Sequence, residues 1–277
     1  MIDIIFPIGP SSELNDWELR IALRSIAENV DPALLDRIII IGRKPGCVSD
    51  KVHHIPFPDP FKRKRESNIT LKLAAAAAIE VGRGTPTDKH FVWWNDDQFA
   101  LSSIESVDDF GPYTLPGRMV RARSKWRNNL NRTMTWLREN GHTHHRIEGH
   151  IPHLINYGKA AELLAAAWDR NFINVELYHN VAETPVKKIR NHVFKPIWLE
   201  DYRRSDIKKV FDHCMFTAID PVSSTDPNVI EALRERFPNP SIYEVPHGFT
   251  PPEVKRRRAN GRSRKRGHKG AHNIDNL

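Results

Sequence analysis

The chain predicts an α/β fold: a Rossmann-like, mixed, mostly parallel sheet with flanking helices and a C-terminal helical addition. Three observations lead there. Short runs of β-branched and aromatic residues alternate with longer segments of helical period over the first hundred residues. Each run stops at glycine, proline or a polar pair, where a parallel strand would open onto a ligand crevice. The last run, Lys89-His90-Phe91-Val92-Trp93-Trp94, ends in Asn95-Asp96-Asp97.

Taken in order, Ile2-Asp3-Ile4-Ile5-Phe6 reads as a buried first strand, broken by Pro7-Ile8-Gly9-Pro10. From Asp16 to Asn29, Trp17, Leu19, Ile21, Ala22, Leu23 and Ile26 share one broad helical face. Arg37-Ile38-Ile39-Ile40-Ile41 is a second strand ending at Gly42, and Val52 to Ile55 a third. Asn68 to Val81 is a helix with five consecutive alanines, Ala74 to Ala78. Farther on, Gly158 to Phe172 reads as an amphipathic helix with Leu163, Leu164, Ala167 and Trp168 inward, and Val175-Glu176-Leu177-Tyr178 as a strand. Helices are expected at Asp206 to His213 and Asn228 to Phe237. This gives a catalytic core over 1–185, a helical addition over 186–250 and a basic tail over 251–277.

The paired carboxylates carry the chemistry. Asp96 and Asp97 repel each other unless a positive charge lies beside them. Mg²⁺ or Mn²⁺ meets that need, because both prefer carboxylate oxygen and keep positions open for substrate phosphates. The plainer alternative is a polar turn, or a cap for a helix beginning at Ser102 or Ser103. The loops at Pro7-Ile8-Gly9, Gly42-Arg43 and Asp96-Asp97 all fall at strand carboxyl ends, so they converge on one crevice.

This organisation resembles the GT-A-type nucleotide-sugar transferases, and most closely the Stealth-type sugar-phosphate transferases. The matching pieces are Glu18 through Ser25, Asn95-Asp96-Asp97, Gly149-His150-Ile151-Pro152-His153 and Glu176-Leu177-Tyr178-His179-Asn180. They span roughly the first two-thirds of the chain. The resemblance implies a metal on Asp97 and Asp96, bridging the diphosphate of a nucleotide sugar, with a UDP-sugar as donor. It implies donor contacts from Pro7, Ile8, Gly9, Arg43, Asn68, Lys72, Asn95 and Asp96. The acceptor's proton would pass to Glu148, His150 or Glu176.

Charge points to the acceptor. Residues 254–277 hold nine Lys or Arg against the single Asp275, which leaves 33 of each sign in residues 1–253. Such a basic arm, with Arg256, Arg257 and Arg258 at its start, suits a polyanion. Lys62-Arg63-Lys64-Arg65 forms a second basic cluster before the alanine-rich helix, placed to approach the donor phosphates or track a phosphate backbone. A third set, Arg121, Arg123, Lys125 and Arg127, surrounds Trp126, with no acidic residue between Phe110 and Arg138. These residues, with His153, are expected to hold DNA, the ring stacking on an extruded base or else anchoring in the core. The predicted function is therefore metal-dependent transfer of a sugar to a hydroxyl on modified DNA, hydroxymethylcytosine first, by similarity to viral DNA-modifying transferases. Two alternatives stand beside it: a Stealth-like sugar-phosphate transferase acting on a polysaccharide, and a nucleic-acid-binding protein on a transferase fold without catalysis.

The remaining features set bounds. His142, His144, His145, His150 and His153 crowd one segment with Glu148, yet lack the helical zinc signature. Cys47 and Cys214 form no disulfide framework, and Cys214 reads as a small buried residue. A reducing, cytoplasmic location in a host cell, without signal or membrane span, is the expectation.

Overall fold

The computed structural model describes residues 1–10, 16–114, 125–166, 168–188, 193–194, 204–220 and 223–245. Its strands are β1 (Ile2–Ile8), β2 (Leu35–Gly42), β3 (His53–Pro56), β4 (His90–Trp93), β5 (Gln98–Ala100), β6 (Tyr113–Thr114), β7 (His153–Asn156), β8 (Lys187–Lys188), β9 (Val193–Phe194) and β10 (Phe216–Ala218). Its helices are α1 (Trp17–Asn29), α2 (Arg65–Gly82), α3 (Lys125–Glu139), α4 (Tyr157–Glu162), α5 (Asn174–Val181), α6 (Arg204–Phe211) and α7 (Pro227–Arg236). The expected fold class holds: a mixed, mostly parallel central sheet with helices on both faces.

That sheet has five strands in the order β3-β2-β1-β4-β7. β3, β2, β1 and β4 run parallel, and β7 closes the edge antiparallel to β4. Strand alternation divides the core in two. Ile4, Phe6, Ile8, Ile38, Ile40, Val92 and Trp94 meet α1, α6 and α7 on one face. Ile5, Ile39, Ile41, Phe91 and Trp93 meet α2, α4 and α5 on the other. Side chains two apart share a face, so one apolar run feeds both cores. On α2, Ala74, Ala76 and Ala77 are wholly buried, and their small side chains bring the helix close to its neighbours.

Chain order reverses at β1: β2 lies on one side of it and β4 on the other. A crevice opens at such a switch point, beyond the strand carboxyl ends. The ends of β1 and β4 therefore place Gly9 and Asn95-Asp96-Asp97 at that opening.

Four expectations are corrected. Residues 175–178 belong to α5, not to a strand; Asn174 through Asn180 are all buried, so no polar face reveals the helical period. The helix expected over 158–172 stops at Glu162 and continues as two 3₁₀ turns, Leu163–Ala165 and Trp168–Arg170. Leu164 consequently faces solvent, while Trp168 packs on Phe61 with ring centroids 5.3 Å apart. No helix starts at Ser102 or Ser103; a 3₁₀ turn begins after Ser106, whose hydroxyl accepts from the Asp108 amide. Finally, segment 186–250 supplies β8, β9 and β10 as well as α6 and α7, and β10 pairs antiparallel with β5. Among the described residues no helix is long and apolar enough to cross a membrane.

Candidate functional site

The turn after β4 is built to project two carboxylates. Asn95 Oδ1 accepts from Trp93 Nε1 at 3.0 Å, and the Asn95 amide donates to Gln98 Oε1 at 3.1 Å. The Gln98 amide donates back to the Asn95 carbonyl, and Gln98 Nε2 reaches the Gly149 carbonyl at 3.1 Å. Trp94 Nε1 donates to the Gln98 carbonyl at 2.9 Å. Asn95 and Gln98 thus lock the backbone, and Asp96 and Asp97 lie between them. The Ile219 amide donates to the Asp97 carbonyl, so the segment after β10 braces the same turn.

Around the pair, the topology gathers three groups that are far apart in the sequence. Glu18 comes from the first turn of α1, Arg65 from the first residue of α2 and Ser224 from the turn before α7. Burial, then the charges of Asp96 and Asp97, push the Glu18 carboxyl up to about 8, against a hydrogen bond from Ser224 and the charge of Arg65. Burial, then Asp97, push Asp96 up to about 6, with Arg65 opposing. Burial works against the Arg65 charge, but Asp97, Glu66, Asp96 and Glu18 outweigh it and raise its pKa. Solvent reaches Arg65 and the two aspartates although protein surrounds them, as expected in a crevice. Three carboxylates that act electrostatically on one guanidinium make up the candidate site. Of these, Glu18 was not among the expected site residues, and Arg65 was expected only as part of a basic cluster.

Behind it, the other loops converge as expected, but several side chains there are structural. The Ile8 carbonyl accepts from Lys72 Nζ at 2.8 Å, and Lys72, almost wholly buried, also pairs with Asp59. Arg43 Nε donates to the Gly9 carbonyl at 3.3 Å while its guanidinium pairs with Asp16. Asn68 clamps Phe61, accepting from its amide at 3.1 Å and donating to its carbonyl at 2.9 Å. Lys72, Asn68 and Asn95 therefore shape the loops around the crevice rather than opening onto it. Pro7 and Ile8 are buried within β1.

The proposed proton acceptors divide by burial. Glu148 and Glu176 are 1% exposed, whereas His150 is half-buried with its amide donating to Glu148 Oε1 at 2.9 Å. Burial raises Glu176 to about 8, opposed by Arg146, whose Nε stands 3.6 Å from Oε1. His153, expected to touch the acceptor, instead lies inside β7, 1% exposed, sharing a 3.0 Å hydrogen bond with His179. Burial lowers its pKa to about 3, and the same burial keeps the ring out of reach of a phosphate backbone. The register explains this, since His153 pairs with Trp93 and points into the core face of the sheet.

Trp126 is 44% exposed at the start of α3, not anchored in the core, and the Arg146 guanidinium lies 5.7 Å from its ring centre. Lys125 is exposed beside it and Arg127 half-buried. Arg121, Arg123, Arg256, Arg257 and Arg258 lie outside the described residues. Cys214 is buried, and burial raises its thiol to about 11, which suits a packing residue rather than a nucleophile.

A metal fits this chemistry in a limited sense. Among the described residues no three His, Cys, Asp or Glu side chains stand ready as a cage. Yet Asp97 raises the pKa of the adjacent Asp96, and two such carboxylates are a donor set whose charge a hard cation would relieve, with phosphate oxygens and water completing its shell.

No family model matches the chain, and no curated protein matches it. Among solved structures it is similar to the galactosyltransferase LgtC in complex with donor and acceptor sugar analogues, with a TM-score of 0.49 and 11% identity over 87% of this chain and 96% of that one. An active-site mutant of LgtC gives 0.47 and 11% over 85% and 95%. A likeness at this level assigns no residue and no activity.

Proposed function

We propose that the protein is a glycosyltransferase that moves a sugar from a nucleotide sugar, a UDP-sugar first, to a hydroxyl acceptor. The observation that carries this reading is the group Glu18, Asp96 and Asp97 around Arg65 at the switch point of the sheet. Asp97 and Asp96 would hold Mn²⁺ or Mg²⁺, which when bound neutralises charge on the leaving diphosphate. Arg65 holds positive charge in the same crevice and supports the leaving group from the protein side. Glu18, whose carboxyl is raised by the charges of Asp96 and Asp97, would supply a further counter-charge beside such a cation. His150 keeps contact with solvent and is the fitting proton acceptor, with Glu148 fixing its backbone. Glu176, 1% exposed and facing Arg146 at 3.6 Å, has less access to an acceptor's proton.

For the acceptor, the formally neutral body and basic arm support modified DNA, with hydroxymethylcytosine offering a primary hydroxyl. The second reading, a Stealth-like transferase acting on a polysaccharide, draws on two indoles that wall a cavity beside the start of α2. Incubation with UDP-sugars, Mn²⁺ and either hydroxymethylated DNA or saccharides tests both. Asp97→Ala should lower transfer by about a hundredfold or more with an unchanged circular dichroism spectrum, and a chelator should do the same to the unmodified protein. Full activity in the chelated protein would defeat the metal. DNA binding without turnover of any donor would leave a nucleic-acid-binding protein on a transferase-like fold.

A further inference from the structure

A cavity of about 470 Å³ lies between the end of α3 and the two 3₁₀ turns that follow α4. Its walls include Trp136, Trp168, Leu164, Asn140, Asp169 and Arg170. Both indoles are held in place. Trp136 packs against Phe172 and His142, each with centroids 5.5 Å away, and Trp168 against Phe61. The rim is held too: Lys64 Nζ donates to the Asp169 carbonyl, and Arg132 to the Arg170 carbonyl at 3.5 Å. Leu164, 42% exposed, adds an apolar side chain to the same wall.

We propose that this cavity binds a neutral saccharide and anchors the acceptor of glycosyl transfer, an assignment that rests on the second, saccharide reading of that acceptor. A pyranose has an apolar C–H face and a rim of hydroxyls. It suits a flat, preorganised indole flanked by a planar amide, a carboxylate and a guanidinium. Within the lining, Asp169 and Arg170 are opposite in sign, and the rim cations Lys64 and Arg132 donate to backbone carbonyls, so a phosphate entering between the indoles would meet the Asp169 carboxylate. The volume falls in the range of small-molecule sites, about 300–1,000 Å³. Lys64 and Arg65, neighbours at the start of α2, connect the two places: the first binds the cavity rim, and the second faces Asp96 and Asp97.

The test titrates the full-length protein with lactose and cellotriose, following tryptophan fluorescence and ligand-observed NMR, with glucuronate and a single-stranded oligothymidylate as comparators. UDP with Mn²⁺ is titrated separately by calorimetry. Lactose or cellotriose should bind, and Trp168→Ala should raise the dissociation constant about tenfold. Arg170→Ala, at an exposed residue, should weaken binding without threatening the fold; Asp169→Asn should selectively improve glucuronate. UDP binding should be unchanged in all three. Loss of UDP binding in the unmodified protein would remove the glycosyl-transfer reading and the acceptor role with it, while saccharide binding would still stand. Failure of both neutral saccharides to bind, or binding indifferent to Trp168→Ala and Arg170→Ala, overturns the proposal. Displacement of the saccharide by oligothymidylate would reassign the indoles to stacked bases.

Discussion

Glu176 holds one carboxylate oxygen, Oε2, buried without a hydrogen-bond partner, and burial lifts its pKa from 4.5 to about 8. A carboxyl raised in the folded state stabilises the fold fully below its unfolded value and loses that contribution as pH climbs toward the folded one. The window is therefore pH 4.5 to 8, with stability falling as pH rises. Each unit of displacement corresponds to about 1.4 kcal/mol; partial relaxation leaves a gain on the order of 2 kcal/mol for Glu176→Gln at pH 8, and almost none at pH 5. Urea denaturation at the two pH values measures this, and parallel pH profiles for the variant and the unmodified protein would refute it. At this scale the sequence is readable only where the groups of the candidate site are consecutive. Asp96 and Asp97 announce themselves as a pair after a strand. Glu18 looks like any polar residue opening a helix, because the charges that define it arrive from β4 and α2. His153 misleads for the opposite reason: a cluster of histidines says nothing of the register that turns one of them inward.

The elements are legible wherever one face differs from the other. α1, β1, β2 and β4 emerge from apolar period and punctuation, and α2 starts only one turn earlier than expected. α5 escapes because burial on every side erases the contrast from which period is read. The apolar face of α7 is legible, with Val229, Ile230, Leu233 and Phe237 in the core, but a second fastening of this part of the chain escapes because it is ionic and remote. Arg24 reaches Glu244 with Nε at 2.9 Å and Nη2 at 3.1 Å, and Arg20 adds a third hydrogen bond at 3.2 Å. Glu244 is 4% exposed and Arg24 7%. Removing one member of a buried pair strands the other, which costs about 3–5 kcal/mol, whereas replacing both with apolar groups is close to neutral. Arg24→Leu should accordingly lower stability by about 3 kcal/mol. The double variant with Glu244→Leu should recover most of it. A double variant no better than the single one would show that the pair is not the fastening.

At the scale of the whole molecule, two features are separable: a sheet whose reversal at β1 locates the crevice, and a charge that is confined to one end of the chain. The first follows from strand order, which sequence alone suggests through three loops falling at strand ends. The second is arithmetic: 33 charges of each sign in residues 1–253, and nine Lys or Arg against one Asp beyond them. A neutral body gives no long-range attraction to a polyanion, so any affinity for DNA should reside in the arm and in the basic set around Trp126. Deleting residues 254–277 should then weaken DNA binding and flatten its dependence on salt, by about 0.9 in the log–log slope for each phosphate that the shortened protein no longer neutralises. Donor turnover at the carboxylates should be unchanged, because those residues are set by β1, β4, α1 and α2. Charge reversal of Arg127 should behave differently, impairing transfer to DNA while leaving donor hydrolysis intact, since α3 stands in the body of the protein. Fluorescence anisotropy across a salt series, run beside a donor-hydrolysis assay, reads both effects. Equal, weak binding by the truncated and full-length proteins would separate the arm from DNA altogether. Transfer would then be sought on the saccharide that the indole cavity fits.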